Sequence, residues 1–277
     1  MTTPLLLKVG GELLETAEGR VRIAALASSW AASRPLVIVH GGGRAIDAEL
    51  ARRGIAPKKV DGLRVTDADT LEAVIAVLAG SANTELVAAL VTEGLPAVGL
   101  TGVDAGFGRA RRSSAHQSTS GAVVDLGLVG DPVEADPSLI QLLLGAQYIP
   151  VVASLGIESG AILNVNADVM ACRIAAALPG SDLVIAGATA GVLDATGATI
   201  PALDGDGIDQ LIAAGTANAG MIAKLEAARA ALRGGAASVR IVDGRALGAH
   251  VSFDNVPGTT ITLTHEGSTD HVHHLAH

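Results

Sequence analysis

Two apolar runs that are typical of buried strands end directly in glycines. Leu5–Val9 contains Lys8 and leads into glycines at 10 and 11, and Leu36–His40 leads into a glycine triplet at 41–43. Glycine leaves backbone N–H groups uncovered, and a following helix adds partial positive charge at its N-terminus, so the two together favour anion binding. The junctions predict a phosphate site with its own ammonium group, although a tight strand-to-helix turn also explains each glycine cluster taken alone.

Three further motifs carry residues that bind anions or orient charged groups. They are Gly-Leu-Arg at 62–64, Asn-Val-Asn-Ala-Asp at 164–168 and Gly-Met-Ile-Ala-Lys at 220–224. Each has an ordinary explanation by itself, since Asn and Asp cap helices and a helical lysine is usually solvated. Neither glycine junction fits the Walker pattern or the dinucleotide fingerprint, so ordinary P-loop and nicotinamide chemistry are disfavoured.

Apolar, β-branched runs alternate with alanine-rich helical stretches along the chain. The predicted strands are 5–9, 36–40, 97–100, 149–153, 183–186 and 238–242. The predicted helices are 23–33, 44–53, 67–93, 138–144, 167–178, 207–214 and 221–233. Strands that are apolar throughout indicate a mostly parallel central sheet with helices on both faces, which is an α/β three-layer sandwich.

Shorter patterns predict the connections and the division of the chain. Alternating residues with Gly and Asp turns at 57–65 and 123–129 indicate hairpins at the sheet margin, which often form lids. The polar run 109–120, with three arginines, is interpreted as a solvated loop. A long helix stops before Pro179, so we expect a first domain over 1–179 and a second over 180–277.

Composition excludes several classes of function. The net charge of −9 argues against a nucleic-acid partner, and with 1% aromatic residues base stacking cannot be the main recognition device. The apolar runs are broken before the ~18 residues that a membrane helix needs, and no secretory signal is visible at the start, so a cytoplasmic location is expected. Cys172 is the only cysteine and lies in an apolar helical stretch, where packing explains it.

The motifs in this order resemble the amino acid kinase family, and within it the branch that acts on acetylglutamate. The resemblance spans essentially the whole chain. It rests on K-V-G-G at 8–11, V-H-G-G-G at 39–43, D-G-L-R-V-T at 61–66, L-G-L-V-G at 126–130, N-V-N-A-D at 164–168 and G-M-I-A-K at 220–224.

The resemblance implies transfer of the ATP γ-phosphoryl group to the side-chain carboxylate of N-acetyl-L-glutamate, giving an acyl phosphate in arginine biosynthesis. Lys8 and Lys224 would flank the phosphoryl group, and Asp168 would hold both amines. The resemblance places binding residues in three groups: for the amino acid substrate Gly42, Gly43, Arg64 and Asn164; for the phosphates Gly10 and Gly11; for the nucleotide Gly191, Thr216, Ala217 and Asn218. Mg²⁺ would be held mainly through the phosphates, with no protein metal site.

Two departures from the family pattern bear on these expectations. Ala188 stands where relatives usually have an aspartate near the nucleotide. Only four residues precede Leu5, so the resemblance implies a homodimer, joined through part of the helical region 67–93, without arginine feedback. The alternatives are a kinase for N-succinylglutamate or for carrier-bound aminoadipate, and a non-catalytic nucleotide-binding homologue.

Overall fold

The strands and helices alternate along the chain as the sequence predicts. The computed structural model describes residues 2–113, 115–118, 121–217 and 219–263, and the strands below lie within them. The strands are β1 (Leu5–Val9), β2 (Leu36–His40), β3 (Lys59–Val60), β4 (Leu63–Arg64), β5 (Ala97–Thr101), β6 (Gly108–Arg112), β7 (His116–Gln117), β8 (Val123–Val124), β9 (Val129–Ala135), β10 (Ile149–Ala153), β11 (Leu155–Glu158), β12 (Ala161–Val165), β13 (Asp182–Gly187), β14 (Ala202–Leu203), β15 (Ser238–Asp243) and β16 (Thr259–Ile261).

Several helices begin at residues whose side chains satisfy a first amide group. Thr16 accepts from Gly19, and Asp67 from Thr70, so both cap helices as these residue types do in general. The helices are α1 (Ala17–Ala31), α2 (Gly43–Arg52), α3 (Ala68–Ile75), α4 (Asn83–Thr92), α5 (Ser138–Gly145), α6 (Ala167–Ala176), α7 (Gly205–Ala213) and α8 (Ala219–Arg233). A π-helical segment, Ala76–Ala82, joins α3 to α4, with a kink at Gly80, where φ is −99° and ψ −106°.

The central sheet has eight strands in the order β14-β16-β15-β13-β1-β2-β10-β5. Every neighbouring pair is parallel except β15 with β16. The pairing of β1 with β13 joins the two parts of the chain into one sheet, because Leu5 is in register with Asp182. The division at 179/180 therefore passes through continuous sheet, and it stays a prediction.

Side chains of the central strands alternate between two helical layers. On β1, Leu6 packs into the core formed with α6 and α8. Leu5, Leu7 and Val9 pack into the core formed with α1 and α4. Helices therefore cover both faces of the sheet, and the predicted three-layer architecture is confirmed. Lys8 is two residues from Leu6, so it points to the α6 side.

A small closed barrel and two hairpins complete the fold at the carboxyl ends of the strands. The barrel consists of β11, β12, β9 and β6, and the hairpins are β3–β4 and β7–β8. The prediction of a solvated loop over 109–120 was wrong in its first part, because β6 pairs with β9 in the barrel. The second hairpin was predicted over 123–129 but lies earlier in the chain. Strand β8 pairs with β7, and residues from 129 onwards belong to the barrel.

The helix that runs through α3 and α4 is long and apolar. Within the described residues, one helix, Ala68–Thr92, has the length and composition of a membrane span, with a hydropathy of 1.8. A core helix of a soluble protein passes the same test, and here Leu78, Leu86 and Leu90 are fully buried against the rest of the fold. A single such helix is weak evidence for a membrane location.

Candidate active site

The first of the candidate residues, Lys8, lies near the end of β1 on the face that α6 covers. Its side chain is largely buried, with 10% of its surface exposed. Asp168 lies opposite it in the first turn of α6, a helix whose start is fixed by Asn166. Oδ1 of Asn166 accepts hydrogen bonds from the backbone amides of Asp168 at 2.8 Å and Val169 at 3.2 Å. The cap therefore sets the position of the Asp168 carboxylate relative to the sheet.

Both predicted lysines meet at this one carboxylate. The Nζ atom of Lys8 lies 2.7 Å from Oδ1 of Asp168, and Nζ of Lys224, from α8, lies 3.0 Å from Oδ2. The packing of α8 against α6 brings Lys224 to this position. The structure therefore unites three side chains from distant parts of the sequence, as the resemblance implies, in an arrangement that we call the ion triad.

Electrostatics keep the centre of the ion triad ionised. Burial acts to raise the pKa of Asp168, but the charges of Lys8 and Lys224 and their contacts outweigh burial and hold the pKa at about 2. At neutral pH the group is a carboxylate with an ammonium on each oxygen. Two cations and one anion leave a net positive charge, which suits an incoming phosphoryl group.

A cavity of about 280 Å³ lies on one side of the ion triad, and Arg64 lines it. The Nη2 atom of Arg64 is 2.6 Å from Oδ1 of Asp47 and donates to the Gly43 carbonyl at 3.0 Å. Its Nη1 atom is buried and has no hydrogen-bond partner among the residues described. A buried donor without a partner costs free energy, so this geometry favours an anionic ligand in the cavity.

The predicted substrate residues Gly42, Gly43 and Asn164 line the same cavity. Gly43 is the first residue of α2, and in the described part of the chain no side chain caps that helix at Gly42. Its first amides are thus open to an anion. Asn164 is half-buried and donates from Nδ2 to Oγ1 of Thr66 at 3.1 Å, which orients its carboxamide. All four substrate-binding predictions therefore fall on one cavity.

The two glycines that follow β1 differ from each other. Gly11 lines the cavity and packs against the second glycine junction, where a Cβ at position 11 would lie 2.9 Å from Cα of Gly42. Gly10 does not match its predicted role as an amide donor to phosphate. Its N–H donates to the Ala186 carbonyl at 2.9 Å, because β13 runs parallel to β1 at this point. Gly10 instead extends the sheet.

A second cavity, of about 370 Å³, adjoins the ion triad from the side of β13 and α8. Lys8, Asp168 and Lys224 line it together with residues 187–189 and 220–221. Lys8 and Asp168 also line the first cavity, so the two cavities meet at the ion triad. From the sequence, Ala188 was placed near the nucleotide but no binding residue was assigned to 187–189, although this segment directly follows a predicted strand and begins with glycine.

Three of the predicted nucleotide-binding residues are described by the structure, and they lie off the wall of the second cavity. Gly191 is buried with φ +139°, and a Cβ there would lie 2.6 Å from Oγ1 of Thr259, so its lack of a side chain serves packing against β16. Thr216 and Ala217 precede α8 and are not among the described residues that line the cavity. Asn218 lies outside the described residues. These assignments stay predictions.

Ala188 is exposed at the second cavity, and an arginine holds its backbone. Nη2 of Arg245 donates to the Ala188 carbonyl at 2.9 Å. The same guanidinium donates to both oxygens of Asp243, at 2.9 and 2.8 Å, and this contact lowers the pKa of Asp243. Asp243 is in register with Gly187 on the neighbouring strand, but it is not among the described residues that line the second cavity.

His40, beside the glycine triplet, is not placed for acid–base chemistry. It is completely buried on the α4 side of the sheet, and burial lowers its pKa to about 4. Nδ1 lies 3.1 Å from the Gly41 carbonyl and Nε2 lies 3.0 Å from Nδ2 of Asn83. A neutral imidazole with the proton on Nδ1 satisfies both contacts, so His40 serves packing.

Comparisons with known proteins agree with this geometry. A sequence model of the amino acid kinase family matches residues 3–243. Acetylglutamate kinase of Aromatoleum aromaticum is 44% identical over 212 residues, which are 76% of this chain and 71% of that protein. Acetylglutamate kinase of Stutzerimonas stutzeri is 36% identical over 267 residues, 93% of this chain and 89% of that one.

A solved structure is also similar. N-acetylglutamate synthase from Neisseria gonorrhoeae, complexed with coenzyme A and N-acetyl-glutamate, superposes with a TM-score of 0.80 at 26% identity. The match covers 94% of this chain and 59% of that longer one.

Proposed function

Since this chain belongs to the amino acid kinase family, we propose that it phosphorylates the side-chain carboxylate of N-acetyl-L-glutamate with ATP. The product is N-acetyl-L-glutamyl 5-phosphate, an acyl phosphate of arginine biosynthesis. Acetylglutamate kinases at up to 44% identity support this substrate. The observation that carries the proposal is the ion triad, which lies where the two cavities meet.

The reaction needs alignment and charge stabilisation more than it needs a base. A carboxylate is already a nucleophile at neutral pH, and phosphoryl transfer develops charge on the equatorial, attacking and leaving oxygens. We assign Lys8 and Lys224 to that charge. Fixed donors of this kind lower the barrier because they need no reorganisation during the step. Asp168 positions both amines and stays ionised throughout.

The first cavity is assigned to the amino acid and the second to the nucleotide. Arg64 has an unpartnered, buried Nη1 that suits the α-carboxylate, and Asn164 and the amides at Gly42 and Gly43 complete the substrate contacts. Gly11 is assigned to the phosphates. Residues 1–179 would then supply the amino acid site, and 180–277 the opposite wall, through 187–189 and 220–224.

A magnesium ion fits this site as part of the nucleotide. Within the described residues no group of three or more His, Cys, Asp or Glu side chains is placed to hold a metal. Mg²⁺ typically keeps several waters and binds through one or two carboxylates with substrate phosphates. Glu12 lines both cavities and offers such a carboxylate. When bound, the ion neutralises phosphate charge.

One assay tests the proposal and its alternatives. ADP release is measured with N-acetylglutamate, N-succinylglutamate and an aminoadipate derivative as acceptors, and hydroxylamine traps any acyl phosphate. We expect turnover and hydroxamate with N-acetylglutamate, and strong preference for it over the other two. Preference for another acceptor contradicts the substrate assignment. ATP binding without turnover on any acceptor identifies a non-catalytic homologue.

We further propose a cytoplasmic homodimer. Val91, on α4, is 55% exposed, and β5 forms one edge of the central sheet beside it. An apolar surface next to an open strand edge is a common interface between subunits. Light scattering is expected to give twice the mass of the chain, and Val91→Glu to shift the mass towards that of a monomer. A monomeric wild-type protein contradicts the proposal.

A further inference from the structure

Two hairpins lie over the ion triad, and each forms a small sheet of its own. The first is β3–β4, with a two-residue turn of Asp61 and Gly62, and the second is β7–β8. An isolated two-stranded hairpin is only marginally stable in water. Contacts with the rest of the molecule must therefore hold each hairpin in place.

Backbone hydrogen bonds join the two hairpins at their bases. Thr66, which follows the first hairpin, donates its amide to the Leu126 carbonyl at 2.8 Å and accepts from the Leu128 amide at 2.6 Å. Residues 126–128 follow the second hairpin. The bases are therefore fixed to one another, while the position of the turn depends on contacts made further along.

A histidine and an aspartate join the hairpins near the first turn. Nε2 of His116, on β7, lies 2.7 Å from Oδ2 of Asp61. The two side chains are 25% and 14% exposed, so the contact is mostly shielded from water. Asp61 has φ +50° and Gly62 has φ +84°, the values of the Asp-Gly turn that suits a tight hairpin. The turn thus directs the Asp61 carboxylate towards β7.

The same pair forms part of the wall of the reaction site. Asp61 and His116 line the second cavity with Lys8, Asp168 and Lys224. Asp61 is also three residues before Arg64, and β3–β4 presents Leu63 and Arg64 to the first cavity. Movement of the turn would therefore displace the arginine that we assign to the substrate α-carboxylate.

We propose that His116 is a positioning residue, which holds the β3–β4 hairpin closed over the reacting groups through Asp61. This role rests on the proposed function, because Arg64 is its route to the substrate. His116 and Asp61 act as a unit across two hairpins. Loss of either partner leaves the fold intact but lets the hairpin open.

The test combines kinetics with hydrogen exchange on His116→Ala, Asp61→Asn and the double variant. Asparagine also tolerates positive φ, so Asp61→Asn removes the charge and keeps the turn. Because a hydrogen bond to a charged group is among the stronger ones, we expect KM for N-acetylglutamate to rise about tenfold or more. The change in kcat should be smaller. Gln117→Ala, the adjacent exposed residue of β7, is the matched control and should leave KM unchanged.

Amide exchange of residues 58–65 in the free protein should accelerate about tenfold in each single variant, since opening exposes the hairpin amides. The double variant should lose less than the sum of the two single variants, because both changes weaken the same contact between the hairpins. Unchanged exchange and KM in His116→Ala, or additive effects in the double variant, would overturn the proposal. If His116→Ala fails to fold, Asp61→Asn decides by the same readouts. A wild-type protein without turnover contradicts the proposed function alone, since exchange is measured without substrate.

Discussion

Replacement of Asp168 by asparagine tests the ion triad most directly. The change keeps the size and shape of the side chain but removes the charge that faces Lys8 and Lys224 at 2.7 and 3.0 Å. Two ammonium groups would then face each other in a mostly buried site without an anion between them. We expect lower stability and lower turnover together, from one substitution that adds no bulk.

The magnitude follows from the pKa of Asp168. The folded protein lowers that pKa from 3.8 to about 2, which corresponds to about 2 kcal/mol of differential stabilisation of the carboxylate. Repulsion between the remaining lysines adds to this figure. For turnover we expect a loss of at least about tenfold, because misplaced charged donors lose much of their effect on the transition state.

The sign of the pH dependence is fixed by the direction of the shift. The folded pKa lies below the unfolded one, so the native state binds fewer protons and this stabilisation is complete above about pH 4. It is lost as pH falls through about 2, and about half remains at pH 3. Urea unfolding of wild type and variant from pH 7 to 3, followed by fluorescence of the buried Trp30, measures the difference. The difference in the free energy of unfolding between wild type and variant should narrow towards pH 3.

Asp69→Asn is the matched control. Asp69 occupies the second position of α3, as Asp168 does in α6, but it is exposed to solvent. The control therefore reports the interaction of an acid with the helix dipole alone, about 0.3–1 kcal/mol. Two outcomes would refute the reasoning: equal losses of stability in both variants, or a stability difference between wild type and Asp168→Asn that stays constant between pH 7 and 3.

Three further predictions concern activity. Lys8→Ala and Lys224→Ala should each lower kcat at least about a hundredfold, as loss of a single preorganised donor does elsewhere, measured as ADP release at saturating substrates. Arg64→Ala should raise KM for N-acetylglutamate with a smaller change in kcat, because Arg64 is assigned to a part of the substrate that does not react. Arg245→Ala should raise KM for ATP, since the Ala188 carbonyl loses the contact that fixes this wall of the second cavity.

Each of these predictions has an outcome that contradicts it. Near-normal turnover in either lysine variant removes that lysine from the catalytic role, and Lys58→Ala, which removes an exposed lysine, controls for net charge. A defect of Arg64→Ala confined to kcat excludes binding of the α-carboxylate. An Arg245→Ala protein with unchanged KM for ATP shows that position 188 needs no support.

Six of the eight strands of the central sheet could be predicted from the sequence, because most of them are buried on both faces. Leu5–Val9 and Leu36–His40 were predicted with their observed bounds, since continuous apolar runs bounded by glycine leave little choice. The barrel strands were not predicted. Gly108–Arg112 carries exposed arginines on one face and small residues on the other, so its local pattern is that of a loop, and only pairing with Val129–Ala135 makes it a strand.

The phosphoryl-transfer residues were predicted from the combination of motifs, whereas their supporting contacts were not. Asp47 contacts Arg64, and Thr66 accepts a hydrogen bond from Asn164. Asp47 lies within a helix and Thr66 follows a strand, so each residue type has a local explanation that does not involve these contacts. Contacts between distant elements carry no local signal. The nucleotide-binding residues were the least predictable part of the site. Gly191 serves packing, and the wall at 187–189 depends on which backbone segments the sheet leaves open.

Charge balance explains why the ion triad has one carboxylate for two lysines. Two lysines facing one cavity without an anion between them would repel each other, which would work against holding both side chains in place. A second carboxylate paired with the same two amines would cancel their net positive charge. One aspartate, with its pKa at about 2, lies as a carboxylate between both amines and leaves one net positive charge directed at the transferred group. Preorganisation of Lys8 and Lys224 therefore depends on the placement of α6 between β1 and α8, and changes in that packing should alter kcat before they alter substrate affinity.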